Sequence, residues 1–329
     1  ALLGDALASA GRPQPLEESR WRRLLGGDGI YFDFLGSVPL SALEYWLQGT
    51  GRGALAGSAR RVLLCAGEGD QVLLCWQESD SGSFFSSSTA LTQTLHLDPV
   101  TEGAVSNGAY FAFESAELAD RLAPYTLVTE GAEAGDRYAA SMPLPGAGQT
   151  AAVLEALSFS GSNHAPVNGG EVYPDGGDRL VVYDNGTVAY RAVHGGKYPV
   201  EPGPAGGVDG ARTLAERTLG ALCGEARLYL MSAKETENGL RVRFGYLLDG
   251  SAVYLGGEGW AAEFWVRDGY IVQFTLHFRS YTAGGERALL LPIDKAAAML
   301  PDYTPERREL VVQYRDGGGT EVSPDWVAV

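Results

Sequence analysis

Apolar and polar residues alternate with a period of two through most of the chain's final hundred residues. The pattern predicts an antiparallel meander with strands at 227–236, 240–248, 251–255, 260–267 and 270–282. Asn238-Gly239, Asp249-Gly250 and Asp268-Gly269 punctuate it, and such pairs mark hairpins because both turn residues must accept positive φ. A helix at 293–300 separates this meander from a final strand pair, 309–314 and 320–329. Upstream, 179–183 and 187–193 flank Asp184-Asn185-Gly186 as another hairpin. A Gly/Pro loop at 201–210 then leads into an amphipathic helix at 211–222, with Ala211, Leu214, Thr218 and Leu222 on one face.

The first half is mixed. Helical patterns at 15–25, stopped by Gly26-Gly27, and at 39–48, with a stripe of Leu40, Leu43, Trp46 and Leu47, enclose a strand at 30–34. The twin segments 62–65 and 72–75, both Val-Leu-Leu-Cys, form a hairpin after the Gly49–Gly57 loop. Strands at 83–88, 92–97 and 109–114 precede a short helix at 116–122. The Pro/Gly run at 142–150 reads as a linker and divides the chain into an N-terminal α+β domain, 1–146, and a C-terminal α+β domain, 147–329. The expected fold class is therefore α+β, with two mostly antiparallel twisted sheets, each packed with a few helices. Residues 113–125 resemble 290–303 in their order of strand, short helix and Pro/Tyr ending, a faint sign of related halves.

Alternation also assigns the faces of the meander. Leu240, Val242, Phe244 and Tyr246, with Ala262, Phe264 and Val266 and with Val272, Phe274, Leu276 and Phe278, are the expected buried side. Arg241, Arg243, Glu263, Trp265, Arg267, Gln273, Thr275, His277, Arg279 and Tyr281 fall on the other side. Arginine mixed with Trp and Tyr is the composition of a protein-binding surface. Arg241, Arg243, Glu263, Trp265, Arg267, His277, Arg279 and Tyr281 are the candidate protein-binding face. The competing interpretation is a solvated face with cross-strand ion pairs, Glu263 with Arg243 or Arg279.

Composition narrows the partners. A chain of 329 residues with 45% hydrophobic residues, 16 Tyr, 11 Phe and 6 Trp has ample core material. A net charge of −16 argues against nucleic acid or an anionic lipid surface, which need clustered cations. No stretch approaches the ~18–20 continuous apolar residues of a membrane span. The sequence begins at Ala1 rather than Met, which fits processing or trimming of an upstream signal or anchor and an extracytoplasmic location. Cys65, Cys75 and Cys223 have no metal spacing, and closing the hairpin with Ala66 opposite Gln71 would set Cys65 against Val72 rather than Cys75.

Catalytic signatures are missing. Gly49-Thr50-Gly51-Arg52-Gly53 follows a helix and precedes a strand, the reverse of a dinucleotide loop. His96, His164, His194 and His277 are scattered, and the Asp-Gly-Gly runs at 175–178 and 316–319 lack alternating oxygen ligands and read as turns. No catalytic, cofactor or metal residue is assigned.

The segments Phe244-Gly245-Tyr246-Leu247-Leu248-Asp249-Gly250, Trp265 through Phe274, and Leu290-Leu291-Pro292-Ile293-Asp294-Lys295-Ala296-Ala297 together resemble the extracytoplasmic part of the YycH/YycI regulatory proteins of Gram-positive bacteria. The resemblance covers about the last hundred residues. It implies a membrane-anchored, noncatalytic protein that modulates a sensor histidine kinase of two-component signalling. In that family an N-terminal transmembrane helix contacts the kinase, so no family site transfers onto residues of this sequence. A secreted or lipid-anchored binding protein for a cell-wall or small-molecule ligand is the alternative, and an enzyme ranks third.

Overall fold

The computed structural model describes residues 1–48, 55–105, 107–129, 134–193, 195–300 and 308–329. The Gly49–Gly53 cluster, His194 and Tyr303 lie outside the described residues. The architecture is α+β and mostly antiparallel, as the alternation predicts.

A first sheet runs in chain order through Gly29–Pro39, Ser58–Ala66, Gln71–Glu78 and Phe84–Thr92, with Gln14–Leu16 on its far edge. A second sheet is ordered Ala165–Val167, Gly170–Asp175, Asp178–Tyr183, Thr187–Arg191, Tyr270–His277, Ala262–Arg267, Gly239–Leu248 and Arg227–Thr236. One parallel pairing, Ser232 with Ser37, joins the two sheets. The end of Gly239–Leu248 pairs with Ser251–Leu255, which runs parallel to Leu310–Asp316, itself paired with Pro324–Ala328. A third, smaller sheet holds Ala134–Ser141 between Ser280–Leu289 and Glu321–Val322.

The helix Gly203–Ala215 lies against the apolar face of the second sheet and also contacts Leu40–Gln48. It begins inside the expected 201–210 loop. The glycines there are packing residues: a Cβ on Gly207 would come 2.7 Å from Leu240 Cδ2, and one on Gly210 would come 2.4 Å from Val200 Cγ1. Small residues thus let the helix approach the strands at Gly207 and its own lead-in segment at Gly210, a use of glycine that composition alone does not separate from a turn. A single hydrophobic cluster extends from Leu7, Leu43 and Val62 to Val208, Phe244 and Phe274.

Four other local expectations are corrected. Residues 93–97 form a π-helical turn instead of continuing a strand, with His96 Nδ1 against the Thr92 backbone N and hydroxyl. The expected strand 270–282 breaks after His277, and Ser280–Leu289 departs to the small sheet. The hairpin expected around Asn238-Gly239 pairs Thr236 with Gly239, so Glu237-Asn238 is the tip and Gly239 opens the next strand. In the cysteine hairpin Ala66 faces Val72, Cys65 faces Leu73 and Cys75 faces Leu63. In this register the neighbouring Cys75 holds the Cys65 thiol below its ordinary pKa, and all three cysteines are buried and free. The helix Leu2–Ala8, which the alternation did not signal, packs against Leu40–Gln48. The two segments that resemble each other meet: Leu118 and Leu122 share a small cluster with Ile293, Ala296 and Ala297.

Candidate protein-binding face

The second sheet is amphipathic because its pleat sends alternate residues to opposite sides. Leu240, Val242, Phe244, Ala262, Phe264, Val266, Phe274 and Leu276 are buried beneath the helix, as expected. Val272 is the exception. A bulge pairs Trp265 with Gln273 but Val266 with Ile271, so Ile271 takes the buried place and Val272 joins the open side.

Cross-strand register arranges the open side in rows. One row runs Ser232, Arg243, Glu263, Thr275 and Ala189. Arg243 Nε lies 2.6 Å from Glu263 Oε2, which realises one of the two expected ion pairs, and Trp265 Nε1 donates to Glu263 Oε1 at 3.1 Å. A carboxylate with two donors fixed on it cannot serve a ligand without losing them. The Arg241 guanidinium sits 5.7 Å over the Trp265 ring, and Arg267 is exposed beside the Asp268-Gly269 turn.

His277, Arg279 and Tyr281 occupy different surroundings. Tyr281 is fully buried, and its hydroxyl donates to Asp316 Oδ2 at 2.7 Å. Arg279 forms a two-armed pair with the same carboxylate, Nε to Oδ2 at 2.7 Å and Nη2 to Oδ1 at 3.0 Å. Alternation extrapolated through the break at Phe278 placed both on a face that they do not share. They are structural, so a test of the face by replacing Arg279 would report on folding.

His277 is half-buried. Trp260 packs 4.8 Å from its ring, Thr187 Oγ1 is 3.2 Å from Nδ1, and Nε2 has no partner among the described residues. Burial holds the imidazole below its ordinary pKa, with Glu258 pulling it partly back. The unfolded chain then takes up the proton more readily than the folded one. Stability is full above about pH 6.5, the free imidazole value, and falls as pH drops below it. The expected result is a melting temperature that declines between pH 7.5 and 5.5, with a smaller decline in His277→Gln; equal declines would exclude His277 as the source.

Two clefts border the face. One, of about 500 Å3, is lined by Arg191, Val193, Asn238, Trp265, Arg267 and Gln273. The other, about 260 Å3, lies by Thr187, Glu258, Trp260 and His277. A third cleft, about 550 Å3, opens beside the helix Gly203–Ala215, where Lys197 already binds the Ser158 carbonyl at 2.7 Å and Asp209 accepts from Trp46 Nε1 at 3.1 Å. Arg191 escaped the sequence reading because its strand lies outside the meander, and Trp260 because alternation puts it with Ala262 and Phe264 on the buried side. Strand register reveals the first and the ring contact with His277 the second.

No family model matches the sequence, and no curated protein matches it. Among solved structures, the crystal structure of YycH from Bacillus subtilis aligns with a TM-score of 0.59 at 10% identity, covering 97% of this chain and 84% of that one. An uncharacterized protein from Eubacterium rectale aligns at 12% identity over 61% of this chain and 78% of that one; its TM-score of 0.37 supports no argument. The likeness inferred from the last hundred residues thus extends over both halves, and at this identity it is a likeness of fold: the chain has a YycH-like fold along nearly its whole length.

Proposed function

We propose that the chain is a noncatalytic extracytoplasmic regulator of a membrane sensor histidine kinase, tethered to the outer face of the cytoplasmic membrane and acting by protein–protein contact. The observation that carries this reading is the YycH-like fold over 97% of the chain, joined to the family resemblance of its last hundred residues. Arg241, Arg243, Glu263, Trp265 and Arg267 form the contact face, with Trp265 as its aromatic anchor and His277 at the rim.

Membrane capture tests the proposal. Full-length protein in its native membrane should co-purify with a sensor histidine kinase, and recovery of none overturns the regulatory reading. Trp265→Ala should weaken capture by about tenfold or more, the scale of a truncated interface aromatic. Because Trp265 is only partly buried, its unfolding free energy should change by no more than about 1 kcal/mol. Unchanged capture by this variant would move the contact off this face.

A second reading, a binding protein for a cell-wall or small-molecule ligand, draws on the cleft of about 550 Å3 beside Gly203–Ala215. It ranks behind because Lys197 and Asp209 there already have partners within the chain.

A further inference from the structure

The row next to Arg243 and Glu263 crosses six strands. Register places Lys234 opposite Arg241, Arg241 opposite Trp265, Trp265 opposite Gln273, Gln273 opposite Arg191, and Arg191 opposite Arg179. Directly opposed residues share a face, so four cations, one indole and one amide form a single line. That line holds no carboxylate. Like charges directly opposite one another destabilise a sheet, which makes the Arg179–Arg191 juxtaposition a cost to the free protein.

Few of these charges are neutralised. Lys234 is paired with Asp80 at 2.8 Å, and Arg267, at the corner of the row, lies 3.8 Å from Asp268. Among the described residues no carboxylate lies within ion-pair distance of Arg179, Arg191 or Arg241. Such a line is conspicuous on a chain of net charge −16. The cleft of about 500 Å3 lies along it, floored by Trp265, Val272 and Gln273 and flanked by Arg191 and Arg267.

We infer that this row is the docking site for an extended acidic polypeptide segment, with carboxylates at both ends and an apolar side chain between them. The inference rests on the regulatory reading above and names the chemistry of the partner at that same face. Spacing supports the pattern. Neighbouring strands are about 4.8 Å apart, so Arg241 and Arg191, separated by Trp265 and Gln273, stand about 14 Å apart, the length of about four extended residues. The middle of the row offers an indole surface and the Gln273 and Asn238 amides, which suit an apolar side chain and peptide groups. A continuous polyanion fits less well. It would set a charge near Trp265, whose Nε1 is already bonded to the Glu263 carboxylate at 3.1 Å.

The test uses the full chain and a fluorescein-labelled octapeptide with two glutamates at each end and one phenylalanine in its four-residue core. Anisotropy titration should show saturable binding that weakens steeply with salt and at least tenfold when the glutamates become glutamines. The double reversal Arg191→Glu with Arg241→Glu should weaken binding at least tenfold, and the milder Arg191→Gln with Arg241→Gln several-fold, with near-UV circular dichroism unchanged in the milder pair. Arg121→Glu, an exposed charge reversal off the row, should stay within twofold of the parent. Absence of saturable binding, or equal binding by the reversal variant, overturns the inference. Tighter binding of linear polyphosphate at matched charge reassigns the row to an anionic polymer and also overturns it. So does a dimer, seen by sedimentation, that the reversal dissociates, since a second copy would then be the occupant. A reversal variant that loses the peptide but still recovers the kinase from membranes overturns the kinase as the source of the segment and leaves the regulatory reading intact.

Discussion

Asp316→Ala lowers the unfolding free energy by about 3–5 kcal/mol, the cost of removing one partner from a buried ion pair. The Asp316 side chain is 1% exposed and Arg279's is 11% exposed, so water reaches neither charge well. Asp316 accepts from Arg279 Nε and Nη2, from the Tyr281 hydroxyl and from the Gly318 backbone N. Burial, and after it the neighbouring carboxylate, pushes the Tyr281 pKa up, which keeps the hydroxyl protonated and able to donate. Alanine removes the acceptor and strands both donors in the core, each at its full desolvation cost. Urea denaturation should show the loss as a fall in midpoint at unchanged slope. A loss under about 1 kcal/mol would mean that the pair is dispensable, as exposed pairs are.

Glu309→Ala is expected to cost about 3 kcal/mol for the same physical reason at a different seam. Glu309 precedes the strand Leu310–Asp316 and pairs with both Arg60 and Arg61 of Ser58–Ala66. Asp33 pairs with Arg60 Nε at 3.0 Å and lies 3.4 Å from Arg61 Nε, giving two carboxylates for two guanidiniums. Removing Glu309 leaves one excess positive charge around an Arg61 side chain that is 8% exposed. A variant carrying both Glu309→Leu and Arg61→Met should recover much of the loss, because deleting both charges removes the orphan. If the double variant is no more stable than the single one, lost packing rather than the uncompensated charge explains the effect.

Legibility in the sequence followed the range of the forces involved. The hairpins at Asp249-Gly250 and Asp268-Gly269 could be read because their requirement is local: all four residues have positive φ, which few residue types accept. The ion pair of Arg243 with Glu263 was one of two that alternation allowed, because it puts these residues on one face of the meander, and the register of Gly239–Leu248 with Ala262–Arg267 selects it. Arg279 with Asp316 could not, since nothing between them signals that the chain returns there. The bulge at Trp265 inverted Val272 for a related reason. One extra residue reverses the faces on one side of it, here Ile271 and Val272 relative to Phe274 and Leu276, and alternation carries no mark of where it is inserted. At Gly207 the sequence shows turn-rich composition, while the cause is the close contact of a helix with Leu240 and Val266 on strands folded from later residues. The candidate face was therefore half visible: Arg241, Arg243, Arg267 and Trp265 were in view, whereas Arg179 and Arg191 joined it only through the pairing of Thr187–Arg191 with Tyr270–His277.

The strand Ala134–Ser141 has both its neighbours in the last part of the chain, with Tyr138 opposite Ala283 on one side and Val322 on the other. During synthesis its backbone amides must wait, unpaired or bound to water, until almost the entire polypeptide has emerged. Loops that long close slowly, and an unpaired strand edge invites association with other chains. The middle of the chain thus keeps an unpaired strand edge until those late partners arrive, and a chaperone that covers this edge would favour its correct pairing over association with other chains.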